Sequence, residues 1–292
     1  MRNAFIQELV ALARAHPQVA LIVGDLGYSV IEPFADEFPD RFVNAGVAEQ
    51  NMTGLAAGMA SEGYHVFTYS IANFPTFRCA EQIRNDVAYH RLPVTVVAVG
   101  GGLAYGALGY SHHAVQDYAL MRTLPNMLIA APGDPMEVRA CMRYLVENPG
   151  PSYLRLGKAG EPDFHDAPPA VAPGRWLPVR AGGDRALLST GAGLGLAMDW
   201  HKHPDYVDMA VYSMPLWSMA DKPAQATQIR AHSEIVTIED HLLDGGFGSW
   251  LLEAKALDRT LSSIVRPVAL SPEVCGTVGS QAVLNKLGGL LP

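Results

Sequence analysis

Apolar and polar positions along the first half of the chain follow two alternating periods. Runs of apolar and β-branched residues, typical of buried strands, are followed by stretches with apolar residues at helical spacing. The strand-like runs are VALIVGDLG (19–27), RFVNAG (41–46), HVFTYSI (65–71), PVTVVAVGG (93–101), NMLIAAP (126–132) and PSYLRL (151–156). The helix-like stretches are 1–18, 49–63, 77–90 and 134–147. This alternation predicts an α/β domain with a largely parallel sheet, and PVTVVAVGG is expected as its central strand because it is apolar on both faces.

The pattern breaks over residues 159–182, which contain five prolines and several glycines. Because proline lacks the amide hydrogen that a strand ladder needs, we predict an extended linker there. A smaller unit follows, with strand-like runs at 185–191, 207–214, 234–240 and 263–270 and a helix at 246–257. The fold class predicted is therefore α/β, with two open, mostly parallel-sheet domains at 1–158 and 183–292 joined by a Pro-rich linker.

Composition narrows the class of protein. The net charge of −8 argues against nucleic-acid binding, which needs clustered lysine and arginine. No apolar run approaches the roughly 20 residues of a membrane span, and the amphipathic N-terminus does not resemble a signal peptide. The three cysteines are far apart and lack metal-site spacing. We therefore expect a reduced, cytoplasmic protein without membrane contact.

Several polar and aromatic groups follow the predicted strands of the first domain. Open parallel sheets bind ligands beyond the carboxyl ends of their strands, so these groups are expected to converge. They are Asp25, Asn44, Glu49, Tyr69, Phe74 and the loop 100–117.

Glu49 has two interpretations. A carboxylate in the first turn of a helix is favoured by the helix dipole by about 0.3–1 kcal/mol, which makes a capping role reasonable. The small residues around it, in GVAEQNMTGLAAG (46–58), favour close backbone packing instead. Such packing would bury the carboxylate, which then needs a partner or a raised pKa.

His112 and His113 follow a glycine-rich loop that allows the backbone to approach a ligand. Either could be a solvated loop histidine or a proton carrier near neutral pH. No third ligand stands at useful spacing, so we expect no metal site. The charged segment EDHLLDGG (239–246) is interpreted as a solvated loop, and the glycine-rich GLGLAMDW (193–200) as close packing.

Three segments together resemble the pyrimidine-binding domain of transketolases. They are FPDRFVNAGVAEQNMTGLAAGMASEG (38–63), FRCAEQIRNDVAY (77–89) and GYSHHAVQDYALMRTLPNMLIAAPGDPMEV (109–138). IVTIEDHLLDGGFGSWLLEA (235–254) is similar to the family's C-terminal domain. The chain most resembles the C-terminal subunit of split transketolases, and deoxyxylulose-phosphate synthases more distantly.

The resemblance implies roles in binding thiamine diphosphate. Glu49 matches the glutamate that hydrogen-bonds ring nitrogen N1′ of the aminopyrimidine and favours its imino tautomer. Phe67, Tyr69 and Phe74 lie where the family places the rings that stack on the pyrimidine, and the sequence does not choose among them. Asp25 and Leu26 match an Asp-Leu pair near the cofactor at the subunit interface.

The resemblance also implies substrate contacts. His112 matches a histidine that faces the substrate, and His113 falls where complete transketolases often carry glutamine. Lys158 falls near a family arginine that binds the sugar phosphate, and Arg155 could share that role. The loop 100–110 lacks the acidic residue and the histidine with which complete transketolases grip the sugar. The sugar pair is therefore expected to differ from the common pentose phosphates.

The family's metal-binding Gly-Asp-Gly stretch and its asparagine are absent from the chain. The resemblance therefore implies a partner, the N-terminal transketolase subunit, that holds the diphosphate and Mg²⁺, in a heterotetramer with two copies of each chain. The implied activity is transfer of a two-carbon ketol unit from a ketose, or ketose phosphate, to an aldose. Two alternatives stay open: the β subunit of a 2-oxo acid dehydrogenase, and a non-catalytic interaction subunit.

Overall fold

The computed structural model describes residues 1–292 and contains two sheets. The strands are β1 (Val19–Val23), β2 (Phe42–Asn44), β3 (His65–Ile71), β4 (Val94–Val99), β5 (Leu128–Ala130), β6 (Ser152–Leu156), β7 (Leu177–Arg180), β8 (Arg185–Ser189), β9 (Ala210–Ser213), β10 (Leu216–Ser218), β11 (Glu234–Leu242) and β12 (Ile264–Leu270). The α-helices are α1 (Arg2–Ala15), α2 (Glu32–Glu37), α3 (Glu49–Ser61), α4 (Phe74–Phe77), α5 (Ala80–Gln82), α6 (Asp117–Met121), α7 (Pro135–Glu147), α8 (Gly193–Trp200), α9 (Gln225–Arg230), α10 (Phe247–Ala256) and α11 (Gln281–Leu287). The predicted α/β class is confirmed.

The first sheet has the strand order β10-β5-β6-β4-β3-β1-β2 and is parallel except for β10. Strand β4 lies in the middle and all of its residues are buried, as its apolar pattern predicts. The helical stretch expected at 77–90 is instead divided into α4, α5 and a π-helix, Ile83–Ala88. Helix α4 begins earlier than expected, at Phe74, because Pro75 fits the first turn.

Two hydrophobic cores cover the two faces of this sheet. Alternate side chains of a strand point to opposite faces, so each strand contributes side chains to both cores. One core joins Phe5 and Leu9 of α1 to Phe67 and Tyr69 of β3. The other core joins α3, through Met52 and Ala56, to the opposite sides of the same strands. Helix α3 and the rings of Phe67 and Tyr69 therefore lie on opposite faces of the sheet.

The second sheet has the order β12-β11-β8-β9-β7 and is parallel except for β7. Strand β7 falls inside the predicted linker, so the linker is not confirmed at its C-terminal end. Its Pro178 is tolerated because β7 is an edge strand, where proline costs no interior ladder bond. Strand β10 crosses back and pairs with β5 of the first sheet. The first sheet is thus completed by a strand that follows β9 of the second sheet in the chain.

Buried charges join the two sheets. Arg155 of β6 is 2% exposed and pairs with Asp117 at 2.7 Å and with Asp240 of β11 at 2.6 Å. The expectation of a solvated loop at 239–246 is wrong for its first residues, because β11 continues to Leu242 and buries Glu239, Asp240 and His241. No helix in the structure has the length and apolar character needed to cross a bilayer.

Candidate functional site

Glu49 is the first residue of α3, just beyond the end of β2. Its carboxylate is 4% exposed, and Arg78 donates a hydrogen bond from Nη1 to Oε2 at 3.1 Å. A Cβ added at Gly24 would lie 3.6 Å from the Cγ of Glu49, so the backbone that follows β1 passes close to this side chain. Glu49 is thus a buried, paired carboxylate, as the small residues around it suggested.

Arg78, Phe74 and His112 continue from Glu49 as a connected row of side chains. The guanidinium carbon of Arg78 lies 4.3 Å from the centroid of the Phe74 ring. The imidazole of His112 meets the same ring edge-on, with centroids 5.3 Å apart. Phe74 and Arg78 also line an open cleft of about 690 Å³. We call this row, Glu49–Arg78–Phe74–His112, the cleft row.

The two adjacent histidines have different environments. His112 is partly exposed, and its Nδ1 lies 3.0 Å from Oγ of Ser111. Partial burial lowers the pKa of His112, and the neighbouring His113 lowers it further, so the neutral ring is favoured. His113 is buried, with Nε2 3.3 Å from the carbonyl oxygen of Gly106. His112 therefore has the environment of a proton acceptor, and His113 that of a packed loop residue.

Asp25 lies at the carboxyl end of β1 in the left-handed region, with φ of 54°. Its Oδ1 accepts hydrogen bonds from Asn44 Nδ2 at 3.0 Å and from the Tyr28 hydroxyl at 2.8 Å. These two bonds, that from Asn44 first, hold the pKa of Asp25 below its usual range. Leu26 follows, partly buried against the α1 side of the sheet. The pair thus presents an exposed, ionised carboxylate at the strand ends.

The three aromatic candidates do not converge. Phe67 is fully buried and stacks on His65, with ring centroids 4.8 Å apart. Tyr69 is 1% exposed and stacks on Phe5 at 5.5 Å. Both rings point to the α1 face of β3, away from Glu49, because alternate strand residues share a face. Phe74 alone of the three lies in the cleft row.

The two cations considered for phosphate binding are also separated. Arg155 is enclosed by Asp117, Asp240 and the carbonyl oxygen of Ala114, so its guanidinium is engaged within the protein. Lys158 is exposed and lines a different, smaller cavity with Gln281. The structure therefore leaves Lys158, and not Arg155, free to contact a ligand.

Asp134, Glu137 and His165 are grouped closely enough to suggest a metal, with potential ligand atoms within 4.8 Å of one another. Asp134 is nevertheless occupied, because its Oδ1 caps α7 through the amide of Glu137 and its Oδ2 accepts from the amides of Phe164 and His165. Burial raises the pKa of Glu137 to about 7. We interpret this group as the anchor that ties residues 164–165 to α7.

Arg78 was not singled out from the sequence, although it lies in a segment that carries the family resemblance. The available signal was spacing, since residues four apart face the same side of a helical turn. Arg78 follows Phe74 by four residues, which places a cation over the ring.

The residues of the site fit a flat nitrogen heterocycle. Glu49 supplies a buried carboxylate that can bond a ring nitrogen, and Phe74 supplies an aromatic face. Such a pair at the strand ends of a two-sheet α/β chain is compatible with the class of thiamine-diphosphate enzymes. The chain belongs to the transketolase family, since residues 1–160 match the model for the transketolase pyrimidine-binding domain.

Relatives and a solved structure agree with this family. The chain is 33% identical to one of the subunits of the apulose-4-phosphate transketolase of Phocaeicola vulgatus, over 86% of this chain and 82% of the relative. It is 33% identical to a putative transketolase C-terminal section of Methanocaldococcus jannaschii, over 99% and 92%. A structure described as a split gene transketolase, inactive beta4 tetramer, superposes with a TM-score of 0.84 at 31% identity, covering 99% of this chain and 93% of that one. The resemblance and the fold predicted from the sequence are confirmed.

Proposed function

We propose that this chain is the pyrimidine-binding subunit of a split transketolase, active with a partner that carries the diphosphate- and Mg²⁺-binding domain. The reaction is transfer of a two-carbon ketol unit from a ketose or ketose phosphate to an aldose. The observation that carries the proposal is Glu49, buried at 4% exposure beside the Phe74–Arg78 pair in a transketolase pyrimidine-binding domain. Two relatives that align with most of this chain are themselves named as transketolase subunits or sections.

The chain's own residues have distinct tasks in this proposal. Thiamine diphosphate supplies nucleophilic addition to a carbonyl carbon, the chemistry that cuts a ketose between C2 and C3. Glu49 would hold the pyrimidine through its ring nitrogen N1′, a role that requires a desolvated carboxylic group in a fixed position. Phe74 orients the pyrimidine by stacking, and Asp25 with Leu26 lies at the interface to the neighbouring subunit.

His112 is the proton carrier for the substrate. Its lowered pKa favours the neutral ring, which can accept the proton of a substrate hydroxyl as the carbon–carbon bond breaks. The same nitrogen returns the proton when the two-carbon unit joins the acceptor aldose. His113 is assigned a supporting role in shaping the loop, since it is buried against Gly106.

The substrate class is a sugar phosphate whose identity differs from the common pentose phosphates. The relatives named for apulose 4-phosphate support a phosphorylated sugar. Lys158, exposed at the end of β6, is the cation that this proposal assigns to the phosphate. A lysine binds phosphate as a point charge and lacks the two-pronged geometry of arginine.

The assembly proposed is a heterotetramer with two copies of each chain, located in the cytoplasm. The domains proposed are 1–158 for the pyrimidine and 183–292 as the C-terminal domain. The family match favours a transketolase over the β subunit of a 2-oxo acid dehydrogenase. The open cleft lined by Phe74 and Arg78, with Arg78 paired to the buried Glu49, favours a catalytic subunit over a purely structural one.

The testing experiment is calorimetric titration of thiamine diphosphate and Mg²⁺ into the chain alone and into its mixture with the partner. Each titration is run with native Glu49 and with Glu49→Gln, together with a ketol-transfer assay. We expect tight binding and activity only in the mixture that contains native Glu49. Tight binding to the chain alone, or full activity in Glu49→Gln, would contradict the proposal.

A further inference from the structure

The guanidinium of Arg78 lies between the two side chains that the proposed function assigns to the pyrimidine. Its carbon is 4.3 Å from the centroid of Phe74, and its Nη1 is 3.1 Å from Oε2 of Glu49. One planar group therefore covers the aromatic face and satisfies the buried carboxylate at the same time.

A guanidinium and an aminopyrimidine share the features needed to bind between Phe74 and Glu49. Both are flat, both stack on an aromatic ring, and both present nitrogen along the edge that faces a carboxylate. The two groups cannot occupy one place together. We propose that Arg78 fills the pyrimidine position of the unloaded subunit and must swing out before the cofactor can enter; this inference rests on the proposed function.

The surroundings of Arg78 suit a side chain that moves. Its side chain is 51% exposed, whereas that of Glu49 is 4% exposed. Glu49 is its one ion-pair partner in the structure, so Arg78 can leave without breaking a larger network. A buried carboxylate without a partner is costly, and Arg78 removes that cost while the subunit is empty.

This arrangement predicts a measurable effect on affinity. A ligand that must first displace an internal group binds more weakly, in proportion to the fraction of protein in which its place is open. Removing the guanidinium while keeping Glu49 and Phe74 should therefore tighten binding of the pyrimidine, by about three- to tenfold. A residue that instead held the cofactor would produce the opposite change.

The experiment titrates 4-amino-5-hydroxymethyl-2-methylpyrimidine, the pyrimidine half of the cofactor, into the full chain and follows binding by NMR. The proteins compared are native, Arg78→Ala, Glu49→Gln and Arg84→Ala. Arg84 is the matched control, since it is exposed in the nearby π-helix and its side chain bonds only Asn85. The same proteins are then titrated with thiamine diphosphate and Mg²⁺ in the complex with the partner, and their melting temperatures are compared.

We expect Arg78→Ala to bind more tightly than native protein in both titrations, with Arg84→Ala unchanged and Glu49→Gln weaker. If Arg78→Ala binds equally or more weakly while Glu49→Gln weakens binding, the inference is overturned and the proposed function stands. If Glu49→Gln binds as tightly as native protein, the proposed function fails and the inference fails with it.

Discussion

Arg155 and Arg78 make the same two kinds of contact in different surroundings. Each guanidinium carbon lies 4.3 Å from an aromatic centroid, that of Tyr118 for Arg155 and that of Phe74 for Arg78. Each also pairs with a buried carboxylate. Arg155 is 2% exposed and Arg78 is 51% exposed.

The difference shows that an arginine in contact with an aromatic ring and a buried carboxylate can have either a structural or a functional role. Around Arg155, two carboxylates, a tyrosine hydroxyl and backbone carbonyls use the guanidinium on all sides, so the group locks the two sheets together. Around Arg78, one edge is open to the cleft. We infer that enclosure, more than residue type, separates the structural arginine from the functional one.

The largest effect is expected at His112, the last residue of the cleft row. His112→Ala should lower ketol transfer by about 10²–10⁴-fold in the reconstituted enzyme, because general acid–base catalysis contributes that much. Its stability should change little, since the ring is partly exposed. Single-turnover kinetics measure the cleavage step, and an unchanged cleavage rate would remove His112 from the mechanism.

The next largest effect is the difference between the Arg155 and Arg78 ion pairs in their contribution to the free energy of unfolding. Arg155→Met leaves Asp117 and Asp240 buried without their cation, which should lower the free energy of unfolding by about 3–5 kcal/mol. Arg78→Met, the matched change at the open site, leaves only one buried carboxylate without its partner and should cost less, about 1–3 kcal/mol. Urea denaturation of both variants tests this, and equal losses would break the comparison.

A buried carboxyl whose pKa is raised by burial should give stability a pH dependence. Glu137 releases its proton near pH 4.5 when unfolded and near 7 when folded, so stability falls as pH rises from about 4.5 to 7 and then levels off. The fall should be on the order of 1–3 kcal/mol. Glu137→Gln should flatten this part of the profile, measured by denaturation at several pH values. Glu62→Gln, at an exposed position, is the control and should leave the slope intact.

The smallest effect is expected on cofactor affinity, and it distinguishes the aromatic residues that could stack on the pyrimidine. Phe74→Leu should weaken thiamine diphosphate binding by about 0.5–1.5 kcal/mol, the contribution of aromatic stacking beyond area burial. Phe67→Leu should lower stability through the α1-side core and leave cofactor affinity unchanged, because Phe67 is fully buried there. Calorimetry in the reconstituted complex decides, and a weaker affinity in Phe67→Leu alone would reverse the assignment.

The structural features that depend on the local hydrophobic periodicity were predictable from the sequence. Strand β3 has the predicted bounds, and the central place of β4 follows from its two apolar faces. The separation of Phe74 from Phe67 and Tyr69 was not predictable, because it depends on which face of β3 meets α3. The burial of Glu239 and Asp240 was missed because their charge suggested solvent. Arg155, which compensates Asp240, lies far away along the chain, and Glu239 is satisfied by the backbone amides of Phe247 and Gly248.

The return of β10 to the first sheet has a consequence for synthesis on the ribosome. Strand β5 has β6 on one side and gains its second neighbour only when Leu216–Ser218 has been made. At roughly 5–20 residues per second, that neighbour emerges several seconds after β5, during which the edge of β5 is an unpaired template. The nascent chain therefore passes through an aggregation-prone interval, and a gene fragment ending at residue 158 would make that interval permanent.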